Sequence, residues 1–340
     1  MTQTGIARPF PIAGRGPDIP GLVFRHMAGR ADFSGMNDAA NESRVADGAG
    51  FVTSLDAFTN FYDHLTNYDP ERDVVIVEVE GQIVAYGRSA WHSDGDTRIL
   101  EVNMLSRPEW RGKGIEETLL LTLEARLREI DAALAPVGER HFQAGSEPRA
   151  RYMDDLLERH GYAPTRYFYE MVRPNLDDQR DCPLPAGLEI REVRPEHLRS
   201  IWEAANEAFR DEWDYREESD EDFERFRNDP IESGDPSLWR IAWDGDQVAG
   251  QVRSFINHDE NARLGRKRGW VENISVRRPW RKRGLARALI AASFPLLRAR
   301  GMTEAALGVD TNNPSGALRV YESVGFRPVS RSTVYRKPLR

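Results

Sequence analysis

The chain repeats itself, and that limits its fold to one that closes within roughly half its length. Gly21-Leu22-Val23-Phe24-Arg25 returns 166 residues later as Gly187-Leu188-Glu189-Ile190-Arg191. Arg107-Pro108-Glu109-Trp110-Arg111-Gly112-Lys113-Gly114 is answered by Arg278-Pro279-Trp280-Arg281-Lys282-Arg283-Gly284, with 170 residues between the final glycines. Leu157-Glu158-Arg159-His160-Gly161-Tyr162 is answered by Tyr321-Glu322-Ser323-Val324-Gly325-Phe326, 164 residues further on. Three matches in one order at nearly one spacing imply two copies of one domain. The 340 residues suffice for two ordinary cores. The expected division is a flexible Gly- and Pro-rich start at 1–20, an N-terminal copy at 21–173, a linker at 174–186 and a C-terminal copy at 187–340. The linker reading rests on its polar, proline-bearing and aperiodic run.

Periodicity sketches the second copy. Leu188 to Val193 alternates as a strand, and Leu198, Ile201, Trp202, Ala205 and Phe209 fall at helical spacing. Asp220 to Asn228 suggests a short helix. Asp244-Gly245-Asp246 joins the runs Leu238 to Trp243 and Gln247 to Val252 as a hairpin. Val271 to Val276 reads as the next strand and Leu285 to about Ser293 as a helix, which Pro295 should end or kink. A strand at Ala305 to Val309, a helix at Pro314 to Val324 and a strand at Val329 to Tyr335 close the plan. The first copy repeats it, with Val74 to Val79 and Ile83 to Tyr86 as its hairpin. The fold class is α/β: two tandem domains, each a mixed, mostly antiparallel twisted sheet flanked by helices.

Composition removes several functions. A formal net charge of −8 argues against a general nucleic-acid binder. No apolar run approaches the roughly 20 residues that span a bilayer, and no signal-like segment opens the chain, so no membrane association is expected. The single cysteine, Cys182, excludes an internal disulfide and makes the cytoplasm the expected compartment. It lies in the linker without an adjacent base, which argues against a catalytic thiol. The histidines show no metal-ligand spacing, so no metal is expected, and no Walker A, complete G-x-G-x-x-G or serine nucleophile elbow occurs.

The stretch Trp270 to Ala286 concentrates the chemistry. It reads as a strand, an arginine-rich turn and a helix whose first residues, Gly284, Leu285 and Ala286, let a ligand come close. Unbonded N–H groups at a helix start beside Arg281 and Arg283 suit a phosphorylated ligand; the plainer reading is a basic surface turn. Further on, Asn313 suits an N-cap, Pro314 a first helical position and Gly325 a C-terminal stop. Tyr321 fits the core face of that helix as well as a functional role. Arg263, Arg266, Lys267 and Arg268 read as a solvated hairpin tip or an anion contact. The acidic run from Asp211 to Asp222 reads as solvated charge or as an attractor for a cationic amine, with Trp213 and Tyr215 packing on it.

The Arg281-x-x-Gly284-x-Ala286 turn, with the strand before it and Asn313, Tyr321 and Gly325-Phe326 after it, resembles the GNAT superfamily of acyl-CoA-dependent N-acetyltransferases. The duplicated arrangement looks like that of the tandem members, mycothiol synthase among them. The resemblance implies acetyl-CoA as co-substrate and a small primary amine as acceptor, with oligomeric state left open. It implies a bulge around Ile274 to Val276 that offers pantetheine a strand to pair with and aims the Val276 N–H at the developing oxyanion. Arg283, Gly284, Leu285 and Ala286 would hold the pyrophosphate, with Arg281 and Arg283 supplying charge. Asn313 would hold the pantetheine arm or a water, and Tyr321 would protonate the leaving thiolate. Glu272, four residues before Val276, would share its face unless the bulge intervenes, and would be the general base, through water; a solvated or salt-bridged strand carboxylate is the other reading.

The first copy departs from this pattern. Glu116 stands where the second copy has Ala286, Leu157 where it has Tyr321, and Ser146-Glu147-Pro148-Arg149 offers no asparagine for Asn313. A carboxylate against a pyrophosphate costs on the order of 1–4 kcal/mol. The expectation is therefore an acetyltransferase active in its C-terminal copy, with a silent N-terminal copy. A non-catalytic acyl-CoA-binding or interaction protein on the same scaffold is the alternative.

Overall fold

A computed structural model describes residues 8–177, 182–313 and 316–339. In chain order the first part contains β1 (Leu22–His26), α1 (Phe33–Asp47), α2 (Leu55–Asp63), α3 (Pro70–Asp73), β2 (Val74–Val79), β3 (Gln82–Asp94) and β4 (Thr97–Ser106). It continues with α4 (Ile115–Ala133), β5 (Glu139–Ser146), α5 (Arg151–Arg159) and β6 (Ala163–Arg173). The second part contains β7 (Glu189–Arg191), α6 (Leu198–Phe209), α7 (Asp220–Asn228), β8 (Arg240–Asp244), β9 (Gln247–Phe255) and α8 (His258–Leu264). Then follow β10 (Arg268–Val276), α9 (Leu285–Ala299), β11 (Glu304–Asp310), α10 (Ala317–Ser323) and β12 (Arg327–Pro338). Both parts form the expected mixed sheet flanked by helices.

The compact units do not divide where the repeat does. One comprises 1–59, 65–166 and 332–340, the other 60–64 and 167–331. In the first, the strands run β1-β2-β3-β4-β5-β12, where Thr333 to Pro338 pair antiparallel with Ser146 to His141. In the second they run β6-β11-β10-β9-β8-β7, where Phe168 to Arg173 pair with Asp310 to Ala305. Each copy thus gives the C-terminal part of its last strand to the other copy's sheet. Repeat spacing carries no trace of such an exchange, because a strand's alternation reads alike on either sheet.

Other expectations are corrected by packing. Residues 8–20 of the flexible start are held in place: Phe10, Ile12 and Ile19 pack on the first core, and the Phe10 N–H donates to the Phe24 carbonyl at 2.9 Å. Leu176 and Leu184 of the expected linker pack on the second core. Pro295 lies inside α9 rather than ending it, because Phe294 and Leu297, buried on either side, hold the helix against that core. Of the basic run, Arg263 and Lys267 are exposed, while Arg266 and Arg268 are tied down. Arg266 bonds Glu260 at 2.6 Å, while buried Arg268 bonds Glu304 at 2.7 Å and Glu170 at 2.6 Å.

Candidate active site

The site is built where β10 leaves β11. Arg268, Gly269 and Trp270 pair in parallel with Glu304, Ala305 and Ala306, and the registered pairs stop there. Glu272 enters the opening, its Oε1 accepting the Gly308 N–H at 2.7 Å. On its other edge β10 stays with β9 but slips: Glu272 opposes Arg253 and Ser275 opposes Gln251. Asn273 takes up the extra residue with φ 50°, a region asparagine tolerates. The bulge lies between Glu272 and Ser275, starting earlier than the expected Ile274 to Val276. Because it adds one residue, Glu272 and Val276 point to opposite faces, and their expected shared face is corrected. Val276 opposes Gly250, and Ile274 packs on the second core.

The bulge also decides where the backbone of Val276 points. The Arg277 N–H donates to the Ala249 carbonyl at 3.1 Å. Backbone groups alternate along a strand, so the N–H and C=O of Val276 turn away from β9, toward the open side. Arg281 Nε donates to that Val276 carbonyl at 2.9 Å.

Arg281 is a tie rather than the expected phosphate cation. Besides Val276 it bonds Asp211 at 2.7 Å and the Ala208 carbonyl at the end of α6 at 3.0 Å. Asp211 also binds Arg278, and the two guanidinium groups hold its carboxyl well below the usual carboxylate range. The cations left at the turn are Lys282, Arg283 and Arg287, all exposed. Gly284 caps α9 with φ 83°, where a side chain would be strained, and a Cβ there would meet nothing nearer than Arg287 Nη2 at 3.9 Å. The Ala288 N–H makes the first bond of the helix, to the Gly284 carbonyl, so the amides of Leu285, Ala286 and Arg287 precede that ladder. No side chain caps them.

Tyr321 meets both of its sequence readings. It is buried among the second core's residues, and its charged neighbours are Glu272 and Glu212. Burial first, then those two carboxylates, push its phenol well above the ordinary value, so it stays protonated. Glu272 is pushed up to about 8, by burial and by the nearby Glu232 and Glu170, against the opposing pull of the Gly308 N–H. Asn313 is not an N-cap, since α10 begins at Ala317 behind Gly316, with φ 74°. Its Nδ2 donates to Glu212 Oε1 at 3.0 Å. Pro314 lies outside the described residues.

Beside the bulge is a cavity of about 180 Å³, lined by Trp202, Phe209, Phe226, Glu232, Arg253 and Asn273 among others. Burial raises the Glu232 carboxyl, and Asn273 Nδ2 donates to it at 3.4 Å. Sequence reasoning passed over Glu232, Arg253 and Arg287, and took Glu212 only as one member of the acidic run. Arg287 stands one turn after Arg283. Arg253 looked like any strand residue.

Comparison with known proteins bears on the family and the fold. Residues 198–326 match the acetyltransferase (GNAT) family. The mycothiol acetyltransferase of Geodermatophilus obscurus is 26% identical over 258 residues, 75% of this chain and 79% of that protein. The crystal structure of a GCN5-related N-acetyltransferase from Sphaerobacter thermophilus superposes with a TM-score of 0.68 at 25% identity, covering 96% of this chain and 98% of that one. A tandem GNAT protein from the clavulanic acid biosynthesis pathway shares the fold, with a TM-score of 0.62 at 15% identity, over 93% and 98% of the two chains.

Proposed function

Since the chain is a tandem GNAT-superfamily N-acetyltransferase, we propose that its C-terminal copy binds acetyl-CoA and acetylates the primary amine of a small molecule by direct attack. The observation that carries this is Glu272, a carboxylate raised to about 8, placed in the gap between diverging strands and neighbouring the protonated Tyr321. The amides opening α9, with Lys282, Arg283 and Arg287, suit the pyrophosphate of the co-substrate. Arg281 holds the turn in place from behind. The Val276 N–H, on the open side, suits the thioester oxygen as it gains charge, a contact worth about 2.7–4 kcal/mol in comparable sites.

The amine nitrogen bonds to the carbonyl carbon, the carbon–sulfur bond breaks, Glu272 accepts the proton lost by nitrogen, and Tyr321 gives one to the departing thiolate. The products are an amide and free CoA, with no net charge created. A base near 8 and a phenol held neutral are matched to those roles.

The test is the pH dependence of kcat/KM for thiol release. Glu272 must be ionised to accept the proton, so activity rises through about pH 8 and falls tenfold per unit below it. Glu272→Gln removes that limb and lowers the rate by about 10²–10⁴-fold. An unchanged rate and profile in Glu272→Gln overturns the assignment. Stability provides a second reading. The folded chain holds this proton more tightly than the unfolded chain, so wild type loses stability between about pH 4.5 and 8 and the variant lacks that slope.

A further inference from the structure

Arg253 stands across the β9–β10 ladder from Glu272, on the same face, yet the two do not bond: the Glu272 carboxylate goes to Gly308 instead. The Arg253 side chain is 93% buried, and its Nε and Nη1 atoms are sealed from solvent without a hydrogen-bond partner. Its guanidinium lies over the Phe226 ring at 4.6 Å and near Trp239 at 5.7 Å, and the side chain forms part of the cavity wall beside the bulge. A buried guanidinium is expensive unless its donors are matched, and it fits a carboxylate better than any neutral group. Glu218, Asp229 and Glu232 lie close enough to be felt by it, and none bonds it. Those three carboxylates suit an ammonium group, not a second anion.

We propose that this cavity takes an α-amino acid as acceptor, its carboxylate on Arg253 and its amino nitrogen toward Glu232 and Glu272. A zwitterion answers both kinds of charge at once, where a simple amine leaves the guanidinium bare and a plain carboxylate meets three acids. Trp202, Phe209 and Phe226 surround the remainder with apolar surface, which favours an uncharged side chain. This rests on the acetyltransferase reading of the same site and adds the class of acceptor.

The experiment assays thiol release by the full chain with acetyl-CoA and the common L-amino acids, each beside its own carboxamide and its decarboxylated amine. The preferred amino acid exceeds its carboxamide and amine in kcat/KM by about 10–100-fold. Arg253→Met brings that ratio close to one, and Arg253→Lys keeps part of it. Because a ratio is read, a partly unfolded variant loses rate on all three compounds and leaves the ratio intact. A wild-type ratio near one, or a ratio untouched in Arg253→Met, overturns carboxylate recognition while turnover of the amines leaves acetyl transfer standing. Calorimetric titration of the same amino acids into the CoA-loaded chain separates the opposite case. Binding that depends on Arg253 without thiol release upholds the recognition and overturns the transfer. Absence of both binding and turnover overturns the amino-acid acceptor and leaves transfer to another amine to be read from thiol release on a wider panel.

Discussion

The turn at Arg111 and the turn at Arg281 are built alike and end in different chemistry. Arg111 bonds Asp47 at 2.8 and 2.9 Å together with the Ser43 and Ser106 carbonyls; Arg281 bonds Asp211 with the Ala208 and Val276 carbonyls. Gly114 and Gly284 both cap the next helix in the left-handed region, at φ 88° and 83°. The residues that advertise the motif most loudly are therefore shared because they fold the turn. What differs lies around them. β4 pairs with β3 from Thr97 to Ser106 without a slip, so the strand leading to the first turn lacks the bulge that β10 has. The Glu116 carboxylate sits in the first turn of α4, buried, accepting the Ser106 hydroxyl at 2.8 Å. Pro17 lies where a Cβ on Gly114 would be 3.4 Å away, and the Ala13 N–H binds Thr122 Oγ1 at 3.0 Å, so the N-terminal segment covers the same helix start. Tyr152, aligned with Gly316, fills the adjoining space by bonding Asp47 and stacking under Arg111. At the first turn, the chain's own Glu116, Pro17 and Tyr152 crowd the helix start, where the second turn has Ala286 and open space.

Three pairs of substitutions sharpen that contrast. Tyr321→Phe is expected to lower kcat by about 10²-fold or more while leaving acetyl-CoA affinity in place. Leu157→Ala, at the corresponding position of the first copy, changes kcat little and instead lowers stability by about 2–5 kcal/mol; equal losses of kcat would break the assignment of labour. Next in size, Ala286→Glu, which copies Glu116 into the second turn, weakens acetyl-CoA binding by about 10-fold or more. Calorimetry of wild type finds one site per chain, and Glu116→Ala adds none; a second site would end the argument from occlusion. Smallest is the difference between the two ties. Arg111→Met strands Asp47, which is 3% exposed, and costs about 3–5 kcal/mol. Arg281→Met releases a partly exposed, solvent-screened acid and costs less than that. Urea unfolding measures both, and the reverse order would mean that the second turn is the more structural.

Much of this was legible before any coordinates. The duplication, the helix at Asp220 to Asn228, the hairpin at Asp244 to Asp246 and the glycine at the α9 start follow from spacing and from residues with narrow conformational choices. The helix after Asn313 was legible in kind but not in its first residue, because Gly316 with φ 74° and Asn313 compete as starts and only the Glu212 contact decides. The bulge had one local sign, an asparagine able to take positive φ at 273, and a single such residue also suits a regular strand. Arg281 misled because a cation in a turn reads the same whether it faces a ligand or Asp211. Arg253 was invisible, since nothing in a strand's alternation tells a buried guanidinium without a partner from a solvated one.

The traded strand ends have an evolutionary consequence. A gene cut at the boundary between the repeats would yield two polypeptides, each lacking the edge that seals its own sheet and each carrying a spare one suited to its former sister. Each half is kept because the other half's sheet cannot be completed without its strand.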